Sequence, residues 1–322
     1  MKSKKDFQSS IVTIDCQYLH PRFAASYLII EGDRALFIDN NTAHCVPLLL
    51  DALKQRGLTT AAVDYIIITH VHLDHAGGTS TLLGHCPNAT VLGHPRAVPH
   101  LIDPLKLVGS AKDVYGPDEF ERLYGVIEPI PPSRVRAMQD SEVLPWGERS
   151  LEFIYTRGHA NHHFCVYDKK SQAIFTGDSF GLAYPDLQKY KLFIFPSTSP
   201  TDFDPNLALE SLTKIMKSGA QVAYLTHFGP VIDLPSASQQ LKAHLEFSSG
   251  LLDSLSKSMA STGDSTESEA ICLSELKAYY LSFCRKNGIF LLPEQWALLD
   301  LDLALNAQGI AYIAKKRANR AH

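Results

Sequence analysis

The first two thirds of the chain alternate between short apolar runs, which are typical of strands, and stretches with helical periodicity. The β-branched run at residues 63–69 predicts a buried strand. Segments 26–31 and 35–39 flank the turn signal Gly32-Asp33 and predict a pair of strands. The pattern of residues 46–55 predicts a helix. This alternation of strands and helices indicates an α/β body.

The pattern changes after Asp233, where almost every segment has helical periodicity. The three predicted helices cover residues 238–256, 267–287 and 293–317. A stretch rich in Ser, Thr and Glu at residues 256–270 predicts a linker between the first two. The sequence therefore predicts a catalytic domain over residues 1–233 and a helical C-terminal segment over residues 234–322.

Composition excludes several classes of function. The 322 residues include 34 acidic and 30 basic ones, a net charge of −4, so no basic field attracts nucleic acid. No apolar window approaches the length of a membrane span, and the N-terminus lacks an apolar signal segment. Six cysteines without paired spacing predict reduced, buried thiols in a cytoplasmic protein. The 14 histidines are the unusual feature.

Four candidate metal ligands follow the predicted strand within six residues. They are His70, His72, Asp74 and His75. Alternation along an extended segment would place His70, His72 and Asp74 on one side. Sites in open α/β sheets form at the C-terminal ends of strands, and imidazole with carboxylate suits zinc. Since four such groups are costly to desolvate without a shared partner, the sequence predicts a metal site here.

Three further candidates stand just beyond apolar runs, each with a glycine beside it or one position away. They are His159 in TRGH, Asp178 in TGDS and His227 in THFG. The same placement recurs at the ends of several predicted strands. The whole set is therefore a more specific indication of a metal site than any one of these residues alone. Ligands distributed in this way indicate a single centre assembled from separate loops.

The motifs HVHLDH, AGG, TRGH, GDS and LTHFG, in this order, resemble the metallo-β-lactamase superfamily of αβ/βα hydrolases. The resemblance covers about residues 11–232 and is strongest for the branch of glyoxalase II-like thioesterases and lactonases. It implies an α/β fold, a four-layered αβ/βα sandwich with a helical C-terminal extension. Arg157 stands where the family usually has proline, and His163 stands at the position of its structural histidine.

The resemblance also implies two divalent metal ions bound by seven residues. These ligands are His70, His72 and His159 for one ion, Asp74, His75 and His227 for the other, and Asp178 as the bridge. Zinc is the expected metal, with iron or manganese as alternatives. The flavodiiron branch has a glutamate where His72 stands, so its redox chemistry is not expected.

The implied reaction is hydrolysis of a small ester, thioester or lactone by a hydroxide that bridges the two ions. Asp74 and Asp178 are the candidate catalytic residues, because their charge balances two cations and either carboxylate can pass a proton to the leaving group. We expect a small-molecule substrate and neither a nucleic acid nor a membrane as partner. A homodimer is a hypothesis that rests on the apolar spacing of the last predicted helix.

Two alternative functions stay open at this point. Persulfide dioxygenases share the HxHxDH motif, and their pattern implies a single iron bound by His70, His159 and Asp178. The second alternative is a ligand-binding or signalling protein with residual hydrolase activity, which the helical segment permits. Measurement of metal content and oxygen uptake distinguishes an iron oxygenase from a dinuclear hydrolase.

Overall fold

The structure, a computed structural model, describes residues 10–198, 201–262 and 267–320. The chain divides into two compact units, each built from three separate segments. The first unit comprises Met1–Tyr155, His162–Gly177 and Ile215–Ile232. The second unit comprises Thr156–Asn161, Asp178–Lys214 and Asp233–His322. The domain boundary expected after residue 233 stays a prediction.

The first unit contains two six-stranded sheets. The first sheet has the order β1-β2-β3-β4-β5-β6, with β1 (Ile11–Asp15), β2 (Ala25–Glu31), β3 (Arg34–Ile38), β4 (Val63–Ile67), β5 (Thr90–Gly93) and β6 (Val135–Ala137). The second has the order β12-β11-β10-β9-β8-β7, with β7 (Val143–Trp146), β8 (Arg149–Tyr155), β9 (Phe164–Asp168), β10 (Ala173–Gly177), β11 (Val222–Leu225) and β12 (Gly229–Val231). Strands β3 to β6 are parallel, as are β10 and β11, whereas the remaining pairs are antiparallel.

Alternation along the strands of the first sheet divides the apolar residues between two cores. Leu36 and Ile67 pack with Trp146, Phe153 and other residues of the second sheet. Their neighbours in sequence point to the opposite face and pack against helices. The helices of this unit are α1 (Val46–Gln55), α2 (Leu73–Ala76), α3 (Thr79–His85), α4 (Val98–Ile102), α5 (Leu105–Tyr115) and α6 (Pro117–Tyr124). The first sheet is therefore covered on both faces, which explains its continuous apolar strands.

Long helices dominate the second unit. They are α7 (Pro205–Lys217), whose last residues belong to the first unit, α8 (Leu234–Thr262), α9 (Ser268–Asn287) and α10 (Pro293–Ala318). The linker predicted at residues 256–270 was too long, because buried Met259 continues the apolar face of α8. Residues 263–266 lie outside the described residues. No helix in the described ranges combines the length and hydropathy needed to cross a membrane.

A buried ion network joins the two sheets of the first unit. The guanidinium of Arg149 on β8 donates to Glu31 Oε2 at 3.1 Å and also to Asp168 Oδ2. Arg149, Glu31 and Asp168 are at most 8% exposed. Ser171 Oγ donates to the same carboxylate oxygen of Asp168 at 2.5 Å. Because two carboxylates share one cation away from water, neither can lose that cation without a large cost.

Substitution Arg149→Met would leave Glu31 and Asp168 buried without their cation. We expect it to lower the free energy of unfolding by about 3–5 kcal/mol, measured by urea denaturation. The matched control is Arg122→Met, because Arg122 and its partner Glu119 form an exposed pair on α6 and its loss should leave the unfolding midpoint almost unchanged. Equal midpoints for the two variants would contradict this interpretation.

Candidate metal centre

The histidine loop of the first unit begins where β4 ends. The expectation of an extended segment through Asp74 was wrong, because helix α2 begins at Leu73. The backbone N–H groups of His75 and Ala76 both donate to His72 O, at 3.0 and 2.9 Å. The side-chain amide of Asn41 donates to Asp74 O at 2.8 Å and fixes this turn.

Gly78 allows another part of the chain to approach the end of α2 closely. A Cβ at this position would lie 2.7 Å from Thr42 O and 2.9 Å from Asn40 O. The Gly78 N–H donates to Asn41 O at 2.9 Å, and Asn40 N–H donates to His75 O at the same distance. The segment after β3 therefore packs against the histidine loop through backbone hydrogen bonds, which a larger residue at position 78 would prevent.

Five predicted ligands belong to the first unit, and three of them form a compact cluster. Ligand atoms of Asp74, His75 and His227 all lie within 4.8 Å of one another. Asp74 Oδ2 is 3.3 Å from His227 Nε2 and 3.9 Å from His75 Nε2. The other two are adjacent to it, since the ring of His70 is centred 4.0 Å from His75 and 4.4 Å from His72. His70 and His75 are fully buried.

Hydrogen bonds from the Nδ1 atoms orient two of these rings. His75 Nδ1 lies 2.8 Å from Asp39 Oδ2, and His227 Nδ1 lies 3.0 Å from the carbonyl oxygen of Phe23. A carboxylate or carbonyl can only accept, so Nδ1 carries the proton in both rings. Nε2 is then the nitrogen available to a metal ion, and in both rings it is directed towards Asp74.

Asp39 is a buried residue of the candidate site that sequence reasoning missed. Its carboxylate accepts hydrogen bonds from Thr69 N at 2.9 Å, from Thr226 Oγ1 at 2.9 Å and from His75 Nδ1 at 2.8 Å. The residue is 1% exposed and directly follows β3. A signal was present, because Asp39 follows an apolar strand in the same way as the predicted ligands do.

Two predicted ligands, His159 and Asp178, belong to the second unit. His159 Nε2 lies 3.4 Å from Asp178 Oδ2, and both residues are buried. His159 Nδ1 lies 3.4 Å from Ser197 O. Within this unit the structure therefore brings the two residues together, with the Nε2 atom of the histidine facing the carboxylate.

The turn that carries His159 lies directly on helix α7. Gly158 has φ +118°, and a Cβ there would lie 2.3 Å from Ala208 N. Gly158 O accepts from Asp204 N at 2.9 Å, and Arg157 O accepts from Ser211 Oγ at 2.5 Å. Only glycine combines this backbone conformation with so close an approach. The glycine before His159 is thus required by packing.

A cleft of about 340 Å³ lies beside His159 and Asp178 in the second unit. The side chains of Leu212, Leu241 and Leu245 line its apolar part. Its polar part includes serine residues of three different segments, Ser179, Ser197 and Ser211.

Aromatic residues near the N-terminus border the cluster of the first unit. The ring of Phe23 is centred 5.3 Å from that of His227, and Tyr18 packs at 6.0 Å from Phe23. Burial, and after it the negative charge of Asp74, raise the pKa of Tyr18 well above its usual value. Tyr18 therefore keeps its proton at neutral pH and can act as a hydrogen-bond donor.

The paired histidines after the TRGH motif have different environments. His163 is fully buried, with its ring centred 4.8 Å from that of His70. His162 is half-buried and accepts from Val71 N at 3.5 Å. Its ring is centred 5.7 Å from His72. His163 therefore belongs to the interior packing of the first unit, and His162 contacts the histidine loop.

The first unit is an α/β fold of two sheets, in which histidines and an aspartate after the strand ends form a group that could hold a metal ion. A family model for the metallo-beta-lactamase superfamily matches residues 21–227. The chain belongs to the metallo-beta-lactamase superfamily. This assignment confirms the predicted fold class with its helical C-terminal region, and it places the chain in a superfamily of metal-dependent hydrolases.

Similar proteins extend the comparison. ST1585 of Sulfurisphaera tokodaii, a metallo-beta-lactamase fold-containing protein, is 31% identical over 217 residues, which are 66% of this chain and 75% of ST1585. The crystal structure of ST1585 aligns with a TM-score of 0.58 and 26% identity, covering 74% and 86% of the two chains. TTHA1429 of Thermus thermophilus aligns with a TM-score of 0.63 over 97% of this chain and 95% of its own, at 20% identity.

A hydroxyacylglutathione hydrolase of Aeromonas hydrophila is 28% identical over 161 residues, 49% of this chain and 48% of that enzyme. The chain thus spans only about half the length of this relative and of several others. The similarity to TTHA1429 shows that the fold, including the helical region, occurs elsewhere. The assignment of seven residues to two metal ions stays a prediction.

The carboxylate of Asp39 accepts from four donor groups, which are the N–H and the hydroxyl of Thr69, the hydroxyl of Thr226 and His75 Nδ1. Substitution Asp39→Asn would replace it by a side chain with its own N–H groups. We expect the affinity for a divalent ion to fall about 10–100-fold, since the loss of a carboxylate behind a metal-binding histidine has effects of this size. Competition with a chromophoric chelator measures it. Asp33→Asn, in the exposed turn between β2 and β3, is the matched control and should bind the ion normally. Unchanged affinity in a folded Asp39→Asn protein would refute this role.

Proposed function

We propose that the chain is a dinuclear metal hydrolase that cleaves a small ester, thioester or lactone. The observation that carries this proposal is the Asp74, His75 and His227 cluster, whose ligand atoms lie within 4.8 Å of one another. One carboxylate and two imidazoles form the donor set that zinc and related ions prefer.

The fit of this cluster to a cation rests on burial and on ring orientation. His75 and His227 are at most 4% exposed, and their Nδ1 atoms are already bonded to Asp39 and Phe23. Both Nε2 atoms therefore present lone pairs towards one carboxylate, an arrangement that a divalent ion stabilises. In the proposal the full ligand set includes His70, His72, His159 and Asp178 as well, as the resemblance implies.

Bound divalent ions would supply Lewis acidity to a substrate carbonyl and would acidify a water molecule. The side chains of the protein would balance charge, transfer protons and orient the ligands. Asp74 Oδ2 and Asp178 are the carboxylates that balance the positive charge, and either is suited to pass a proton to the departing alcohol or thiol. Asp39 keeps the proton on His75 Nδ1, so the ring orientation is maintained during turnover.

The substrate class is supported by a relative and by the cleft of the second unit. The similar Aeromonas protein is a hydroxyacylglutathione hydrolase, which favours acyl transfer to water. The cleft beside His159 and Asp178 combines leucine side chains with serine residues, which suits a small acyl group. Zinc as the native ion, the homodimer and a cytoplasmic location all stay predictions.

Removal of metal tests the proposal directly. Protein treated with a chelator should lose hydrolysis of thioester, ester and lactone substrates, and added Zn²⁺, Mn²⁺ or Fe²⁺ should restore it. Elemental analysis of protein purified without added metal should give two ions per chain. Full activity after thorough chelation would refute the proposal, whereas one iron per chain with oxygen uptake would favour the oxygenase.

Substitution Asp74→Asn removes a proposed ligand and proton carrier. We expect kcat to fall by about 10²–10⁴-fold, the usual contribution of a general acid or base. Asp113→Asn, an exposed position on α5, changes the same charge at the surface and serves as the control. Equal kcat values for the two variants would exclude Asp74 from the reaction.

A further inference from the structure

We propose that helix α10 positions the metal ligand His159, with Asn306 as the positioning residue. This inference rests on the proposed function, because it takes His159 as a ligand. The connection runs through the loop at residues 184–198, which contacts α10 at several points and ends beside the His159 ring. All the groups involved belong to the second unit.

Asn306 fixes the backbone on both sides of Ser197. Its Nδ2 donates to Pro196 O at 2.9 Å, and its Oδ1 accepts from Thr198 N at 2.7 Å. Thr198 Oγ1 donates to the backbone oxygen of Asn306 at 3.1 Å. Asn306 is 3% exposed, so water does not compete for these groups. The backbone around Ser197 is therefore bound to α10 by three hydrogen bonds.

The backbone oxygen of Ser197 connects this fixed part of the loop to His159. It lies 3.4 Å from His159 Nδ1, the distance of a long hydrogen bond, and because a carbonyl can only accept, this bond forms when Nδ1 carries the proton. Nε2 is then the nitrogen that would bind a metal ion, and it faces Asp178 Oδ2 at 3.4 Å. Metal-binding histidines are typically oriented by such an acceptor behind the ring. A rotation of the peptide after Ser197 would remove that acceptor.

Three polar side chains are buried on α10, and each of them forms a hydrogen bond with this loop. Tyr184 OH donates to Asp302 Oδ1 at 3.1 Å, and the side-chain amide of Gln295 donates to Asp186 O. Asp302 and Gln295 are at most 7% exposed. Buried polar groups are costly without partners, and apolar residues would pack a helix face at lower cost. Attachment of the loop explains their presence, and Asn306 is the one nearest to His159 along the loop.

The test measures the affinity of the full chain for Co²⁺. Binding is detected by the absorption spectrum of the bound ion, and the affinity is obtained by competition with a chelator. Asn306→Leu keeps a similar volume and removes both side-chain hydrogen bonds. We expect the weaker of the two Co²⁺ affinities to fall about 10–100-fold, with a changed spectrum. Tyr184→Phe is the matched control, because it removes a hydrogen bond between the same helix and loop at the far end from Ser197. It should leave Co²⁺ affinity unchanged.

A second variant covers the case in which Asn306→Leu does not fold. Asn306→Asp retains the acceptor for Thr198 N and loses the donor to Pro196 O, so a smaller loss of affinity is expected. Normal Co²⁺ affinity and spectrum in a folded Asn306 variant, or equal losses in that variant and in Tyr184→Phe, would overturn the inference. If the unaltered chain binds no Co²⁺ and hydrolyses no ester, the proposed function itself fails.

Discussion

The buried carboxylate of Asp39 is the constraint on which the rest of the first unit depends. A carboxylate away from water is tolerated only when its oxygens accept several hydrogen bonds. Asp39 obtains them from Thr69, His75 and Thr226, which follow β4, lie in α2 and follow β11. The ends of strands from both sheets must therefore meet at one point, and the histidine loop is built around that point.

The sequence predicted the strands and the histidine loop because both depend on local signals. The two apolar runs on either side of the Gly32-Asp33 turn and the β-branched run before His70 are visible in a few residues, and the structure has strands there. Asp39 was missed because its role depends on pairing between distant segments. Asn306 was equally hidden, since a polar residue within a helix acquires meaning only from the backbone it meets, 108 residues away at Thr198. The helical start at Leu73 depends likewise on the Asn41 side chain and could not be predicted from alternation.

The three oriented histidines use acceptors of different charge. His75 donates to a carboxylate, whereas His227 and His159 face the backbone carbonyls of Phe23 and Ser197. A charged acceptor makes the opposite ring nitrogen more basic than a neutral one does. Of the three rings, His75 is the one held by a charged acceptor. The difference is set by packing rather than by residue type, since all three side chains are imidazoles.

The second unit is built from segments that are far apart in the sequence, so its parts are synthesised at different times. The His159 turn leaves the ribosome early, but the helix that fixes the adjacent loop is synthesised much later. Thr198 and Asn306 are 108 residues apart, so at about 5–20 residues per second the loop waits roughly 5–20 seconds for its partner. During that interval the nascent chain presents His159 without the backbone order that orients its ring.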